Sequence, residues 1–321
     1  MTINGYSQPG SSANTLATGN NAVILIRVNG ASAGADADGF TFTPTTNNSS
    51  IQGLTISGFD GAGGRLQSTA VAVNGCAITG NNDGVFVDGC INNTIGAESI
   101  AFQTSSPDER NVISGNRAAG VRIAPRAGVG GTQNLVANSY IGTDAAGTAR
   151  VGNGDGIVVD GSENRIGARN SNVHLNNNAV LIVAGNRGDG VVLRGHSNIV
   201  RRTFIGVGGD GTTPLGNRGD GVQIGASGAP ANNNVIGNNA DTALVRPTEG
   251  TNLIAFNGTT AANHGINVVA GTGNTLATNQ VFSNTGLGIE LVGVNNNDNL
   301  DPDSGPDNGQ NILSNVSTAA T

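Results

Sequence analysis

Asp83, Asp155, Asp189 and Asp220 each stand immediately before a glycine that opens a short apolar phrase, and a recurring carboxylate is this chain's first candidate for chemistry. If the phrases lie over one another in register, Asp155, Asp189 and Asp220 form a column at about 5 Å spacing, where like charges raise pKa values or gather a cation. Such a column would suit glycoside hydrolysis or hold calcium for a lyase. The plainer reading is that Asp before Gly at a turn bonds neighbouring backbone N–H groups and recurs because the repeat recurs. Catalytic sites usually break repetition, which favours the plainer reading.

Arg194, His196, Arg201 and Arg202 cluster at a turn between strands. A lyase needs a cation to neutralise a uronate and a base to abstract a proton, and these side chains are candidates for both; the alternative is a solvated turn. The other two histidines, His174 and His264, offer no zinc-ligand spacing. Asp298, Asp301, Asp303 and Asp307, with Gly305 among them, suggest a calcium loop without the EF-hand spacing or its terminal Glu, or else an acidic turn leading to a further domain. Arg187-Gly188-Asp189 and Arg218-Gly219-Asp220 have the tripeptide of integrin-binding loops, but alternation along the repeat explains both copies. Cys76 and Cys90 close the matching phrases V-x-V-N-G-C and V-x-V-D-G-C. Stacked on adjacent coils they would come within disulfide reach; otherwise they are two buried thiols.

The elements that must position these groups are short. A phrase of Gly, β-branched or apolar residue, any residue, apolar residue recurs seven times, from Gly84–Val87 to Gly288–Leu291, with the buried-face alternation of a strand. A second phrase follows the first six copies and fixes an asparagine: Asn93, Asn134, Asn164, Asn198, Asn234 and Asn274. A third apolar segment precedes the next copy, so one period holds three short strands and three turns. Strands of three or four residues cannot bury a face alone, but stacked coils share a continuous interior. The expected fold is therefore all-β, a right-handed parallel β-helix with three sheets, and the fixed asparagines are expected to form a structural ladder along one turn. Residues 1–294 are read as one β-helix domain with turn insertions near 97–110, 143–152, 168–178, 207–215 and 238–251, and residues 295–321 as an acidic turn or linker.

Composition narrows the function classes. The 52 glycines and 45 asparagines in 321 residues exclude a helical protein, whereas 36% apolar and 12% charged residues argue against disorder. All 15 basic residues are Arg and the net charge is −7, so no nucleic-acid partner is expected. No apolar run is long enough to span a bilayer, so no membrane insertion is expected. The chain opens on a polar segment, so a leader is expected either to be absent or to lie upstream. With no Trp, two Tyr and eight Phe, there is little to stack on sugar rings.

Asn111–Ile123 (N-V-I-S-G-N-x-x-x-G-V-x-I), Ser139–Thr148 (S-Y-I-G-T-D-x-x-G-T) and Gly185–Val191 (G-N-R-G-D-G-V) resemble the pectin-lyase-like, right-handed parallel β-helix repeats of large bacterial surface and secreted proteins. Ile3–Gly10 and Asn297–Asp307 resemble segments that border such repeats. The resemblance implies export, an extracellular or cell-surface location and flanking domains in a larger parent chain. The same solenoid carries lyases, hydrolases and inert stalks, so it implies no one activity. The leading expectation is a non-catalytic structural, adhesive or surface-layer segment, with a polysaccharide or cell-surface ligand as its partner if it has one. The rivals are a polysaccharide lyase or glycoside hydrolase working beside Asp155, Asp189 and Asp220, and a calcium-dependent binding module. Apart from calcium, no cofactor is expected.

Overall fold

In a computed structural model, the structure describes residues 1–97, 107–167, 181–237 and 251–292, together with the strands Asn311–Ser314 and Ser317–Thr318. The short alternating phrases are strands, and each pairs in parallel with the strand three places on in the chain. Among the described residues three sheets result, with the following strands. The first has ten strands, running from Thr2–Asn4 to Asn311–Ser314, and contains the fixed-asparagine phrases. The second also has ten, from Ile26–Asn29 to Ser317–Thr318, and the third has nine, from Phe40–Phe42 to Ile289–Leu291. This architecture is the expected three-sheet parallel β-helix, consistent with right-handed winding, as parallel crossovers are in nearly all proteins.

Register explains why the phrases repeat as they do. In the third sheet Val85, Val121, Ile157, Val191, Val222 and Ile266 stand one over another, and so do Val87, Ile123, Val159, Leu193, Ile224 and Val268. All of these are buried in one continuous core. Each such side chain is worth about 1.5–3 kcal/mol relative to exposure, so the stack of coils supplies what no single three-residue strand can.

Two polar ladders run through the dry corners. The expected one is present between the third and first sheets: Nδ2 of Asn93 donates to Oδ1 of Asn134 at 3.0 Å, Asn134 to Asn164 at 3.0 Å, Asn164 to Asn198 at 3.2 Å and Asn234 to Asn274 at 3.1 Å. Between Asn198 and Asn234 the link is the Asn198 backbone N–H donating to Oδ1 at 2.9 Å. A second ladder lies between the second and third sheets. There Nδ2 donates to Oδ1 of the next residue from Asn81 to Asn116, Asn153, Asn186, Asn217, Asn257 and Asn284 at 2.8–3.1 Å. The glycines that open the first six third-sheet phrases, Gly84 to Gly265, sit against this ladder. A Cβ on Gly156 would overlap the Gly190 carbonyl oxygen and Val183 Cγ1 and crowd Nδ2 of Asn186. Glycine and asparagine therefore recur as a unit, because the corner is too tight for a side chain and too dry for an unpaired amide.

The insertions fall at two corners. Residues 97–110, 168–178 and 238–251 separate first-sheet from second-sheet strands, whereas 143–152 and 207–215 separate second-sheet from third-sheet strands. The latter two contact each other: Gly209 N–H donates to the Gly147 carbonyl at 2.9 Å. At the C-terminal side, Asn311–Ser314 pairs with Asn274–Ala277 and Ser317–Thr318 pairs with Gln280–Phe282. These two segments thus add strands to two sheets, where the sequence reading assigns a linker. The strand pattern also reaches the other end of the chain, through Gly64–Leu66 and Phe40–Phe42, beyond the seven copies legible as sequence phrases.

Candidate functional site

The carboxylates that the sequence singles out stand on the outer edge of the third sheet. Pairing of Ile157 with Val191 and of Val191 with Val222 places Asp155, Asp189 and Asp220 in one vertical column. Each carboxylate is engaged by the next coil. Oδ1 of Asp155 accepts the Asp189 backbone N–H at 2.9 Å, Oδ1 of Asp189 accepts that of Asp220 at 2.6 Å, and Oδ1 of Asp220 accepts that of His264 at 2.5 Å. Asp83 does the same toward Ala119 at 3.0 Å, but Ala119 has no carboxylate with which to continue, so the column is interrupted for one coil. The column behaves as a third ladder, with a charged acceptor answering a backbone donor at every step it spans.

Electrostatics follow from this stacking. Burial pushes the Asp189 carboxyl up to about 6, and the charges of Asp220 and Asp155 push the same way, against the Asp220 N–H bond and Arg194. Burial likewise raises Asp83, opposed by the Ala119 N–H bond and by Arg122 and Arg65. A carboxyl near 6 is suited to proton transfer, but the Oδ1 atom of Asp189 is held by a backbone donor.

Where the column is interrupted, an open depression of about 440 Å³ lies on the sheet, with Asp83, Ala119, Asp155, Arg117, Arg122, Arg187 and Arg194 in its lining. Opposite charges cross-tie its rim. Asp160 accepts from Arg122 and from Arg194, each at 3.1 Å, and Arg117 pairs with Asp60 at 2.9 Å. Arg187 donates to the backbone carbonyls of Gly152 at 2.9 Å and Asn116 at 2.8 Å. Arg122 and Arg65 both lie over the Phe86 ring, 5.6 and 4.9 Å from its centre, and Arg65 reaches Asp38 at 2.6 Å and Asp88 at 3.3 Å. The sequence reading did not single out Asp160, Asp88 or Phe86. A signal was present, since Asp88 and Asp160 both precede a glycine at the end of a third-sheet phrase, Val85–Gly89 and Ile157–Gly161.

Of the proposed catalytic residues, then, the structure brings Asp155 and Arg194 into one depression, and it leaves Asp189, Asp220 and His196 outside its lining. His196 sits at the corner between the third and first sheets, where Nδ1 accepts the Asn232 backbone N–H at 3.0 Å. His264 is nearly buried, and its Nδ1 accepts from Leu287 N–H at 3.0 Å. Arg201 Nε donates to the Gly237 carbonyl at 3.1 Å, so it braces a neighbouring coil. Both Arg-Gly-Asp copies lie in the turn before a third-sheet strand, and in each the Asp is tied into the column by backbone hydrogen bonds. The calcium candidates Asp298, Asp301, Asp303 and Asp307, together with His174, lie outside the described residues. Among the described residues no three His, Cys, Asp or Glu side chains converge as a metal site requires.

The disulfide premise of stacked phrases does not hold. Val71–Cys76 runs through the first sheet and Val85–Cys90 through the third, so the two cysteines occupy different corners. Both are free and buried, with burial raising Cys76 to about 12 and Cys90 to about 11. Cys76 Sγ donates to the Asn74 carbonyl at 3.3 Å and Cys90 Sγ to that of Leu66 at 2.8 Å. Titration with a disulfide-exchange reagent should therefore find two thiols per chain only after denaturation; none after denaturation without reductant would mean that the pair is oxidised. No family model matches the chain, and no curated protein matches it significantly.

Proposed function

We propose that this chain is a non-catalytic structural or adhesive β-helix segment of an exported protein. The observation that carries this reading is the use of the acidic column. Each of Asp155, Asp189 and Asp220 spends an oxygen on the backbone of the next coil, as a building element does. The parallel ladders support a rigid rod whose length is set by coil number, the property a stalk or surface segment needs. Export enters from the likeness of the repeat phrases to those of surface and secreted proteins.

A second reading, a polysaccharide lyase or hydrolase, is favoured by one feature. The depression gathers Asp155 with Arg122, Arg187 and Arg194 where the column is interrupted. Incubating the protein with a panel of acidic polysaccharides, followed by reducing-end and unsaturated-product assays, separates the two. The structural reading expects no turnover above blank. Depolymerisation that disappears in Asp155→Asn would overturn it and establish the second reading.

A further inference from the structure

In a solenoid each coil touches its neighbours, so contacts that skip coils stand out. With Thr2–Asn4, Ile26–Asn29 and Phe40–Phe42 counted as the first coil, one segment of that coil makes such contacts at the corner between the first and second sheets. Tyr6 lies across the second and third coils. Its hydroxyl donates to the Gly75 carbonyl at 2.6 Å, and a Cβ on Gly53 or Gly75, both at positive φ, would overlap it. Residues 12–23 then form an Ω-loop closed by the antiparallel bridge of Ser12 with Val23. Inside it Asn14 is buried: Oδ1 accepts the N–H groups of Leu16 and Asn21 at 3.1 and 3.0 Å, and Nδ2 donates to the Pro107 carbonyl, beside the fourth coil, at 2.9 Å. From that side Arg110, 1% exposed, reaches back into the loop. Its Nη1 donates to the carbonyls of Gly19 and, at 3.1 Å, Leu16, and its Nη2 to that of Ala17 at 2.8 Å. The loop continues to the fifth coil, where Gly19 N–H donates to the Tyr140 hydroxyl at 2.8 Å and the Arg110 guanidinium lies 4.9 Å from the centre of the same ring.

We infer that residues 5–23 and Arg110 form a clasp that fastens the first coil to the fourth and fifth, so that coils one to five open as a single unit. Parallel strands stack at about 4.8 Å, so the clasp spans roughly 14 Å of the solenoid and passes over the second and third coils. A nearest-neighbour array lets each coil open with its own free energy. Here Thr2–Asn4 and Ile26–Asn29, the strands on either side of the loop, cannot leave the second coil without also uncovering a buried guanidinium, its three carbonyl partners and the Asn14 amide. The pin is specific in shape. A guanidinium presents several N–H donors in one plane, so one side chain satisfies three carbonyls within the short stretch from Leu16 to Gly19, which an ammonium or an amide does not. The clasp is the same whether the chain is a stalk or an enzyme, so its test is separate from that of the proposed function.

Native-state hydrogen exchange of the full chain at increasing urea, read by mass spectrometry, tests this. Ile26–Asn29, Leu54–Ser57, Ala77–Thr79, Asn111–Ser114 and Ser139–Ile141 are the second-sheet strands of coils one to five, and their bonded amides should share one protection factor and one urea dependence. Arg110→Ala, which leaves three carbonyls without their donor, should speed exchange in Ile26–Asn29 about 100-fold and leave Val191–Leu193, in the sixth coil, unchanged. Tyr140→Phe keeps the ring beside Arg110 but loses the acceptor of Gly19 N–H, and should speed exchange in Ile26–Asn29 about 10-fold. Protection that steps from coil to coil in the parent chain would overturn the inference whatever the variants do. Exchange in Ile26–Asn29 that is the same in both variants as in the parent would overturn it too.

Discussion

Asn186→Ala is expected to destabilise the protein by about 3–5 kcal/mol, well above the roughly 1 kcal/mol typical of a single substitution. Oδ1 of Asn186 accepts both the backbone N–H and the Nδ2 of Asn153, at 3.1 and 3.0 Å, while its own Nδ2 donates to Oδ1 of Asn217 at 2.8 Å and to the Ile141 carbonyl at 3.3 Å. All three asparagines are fully buried, so alanine leaves the Asn153 N–H without a partner and without water. The melting temperature should fall by roughly 5–8 °C for a chain of this size. Asn186→Asp should do at least as much harm, because it retains the acceptor, loses the donor and puts a charge in a dry corner. A loss within about 0.5 kcal/mol, the range of surface substitutions, would mean that the corner is wet and the ladder not structural.

Asp189→Asn is expected to act in the opposite direction. With its folded pKa raised to about 6, Asp189 binds its proton more tightly folded than unfolded. The stability it contributes is therefore fully present below the ordinary carboxylate range and is lost as pH rises through about 6. Asparagine stays neutral and its Oδ1 still accepts the Asp220 N–H, so the variant should be more stable than the parent by about 1–3 kcal/mol at pH 8. The advantage should shrink toward about pH 4, where the parent carboxyl is protonated. Urea unfolding at three pH values between these limits checks both size and sign. A variant less stable than the parent at pH 8 would show that the ionised carboxylate is needed for the fold, contrary to the role assigned to burial.

How much of this was legible in the sequence depended on constancy of spacing. The first ladder could be read because Asn93, Asn134 and their successors sit at one fixed place in a short phrase, immediately before a first-sheet strand. The second ladder uses the same residue type and is longer. Its asparagines, however, precede the phrase glycine by three residues at Asn81 and Asn153, four at Asn116, Asn186 and Asn217, and eight at Asn257, so no fixed phrase marks it. Glycine before the third-sheet strands was visible, but its cause, the overlap a Cβ would make with the next coil, is a contact between residues more than twenty apart. The acidic column was legible because Asp-Gly is local. Ala119 before Gly120 marks the interruption in the same local way, and the register of Ala119 with Asp155 places it in the column. Of the two readings of the cysteines, the buried thiols hold and the stacked disulfide fails for the converse reason. Two phrases alike in letters lie in different sheets, because inward and outward alternation is common to every sheet of a solenoid.

The vertical stacking of buried asparagines is the premise of every site described above, and native-state hydrogen exchange reads it residue by residue. The backbone N–H groups of Asn116, Asn153, Asn186 and Asn217 each donate to the Oδ1 of the next ladder asparagine at 3.0–3.2 Å in a dry corner. They should exchange only through large-scale unfolding, as slowly as core strand amides such as Ile157 and Val191. Exchange of these four amides at the rate of exposed turns such as Gly128, while the strands stay protected, would contradict the stacked, water-free corner.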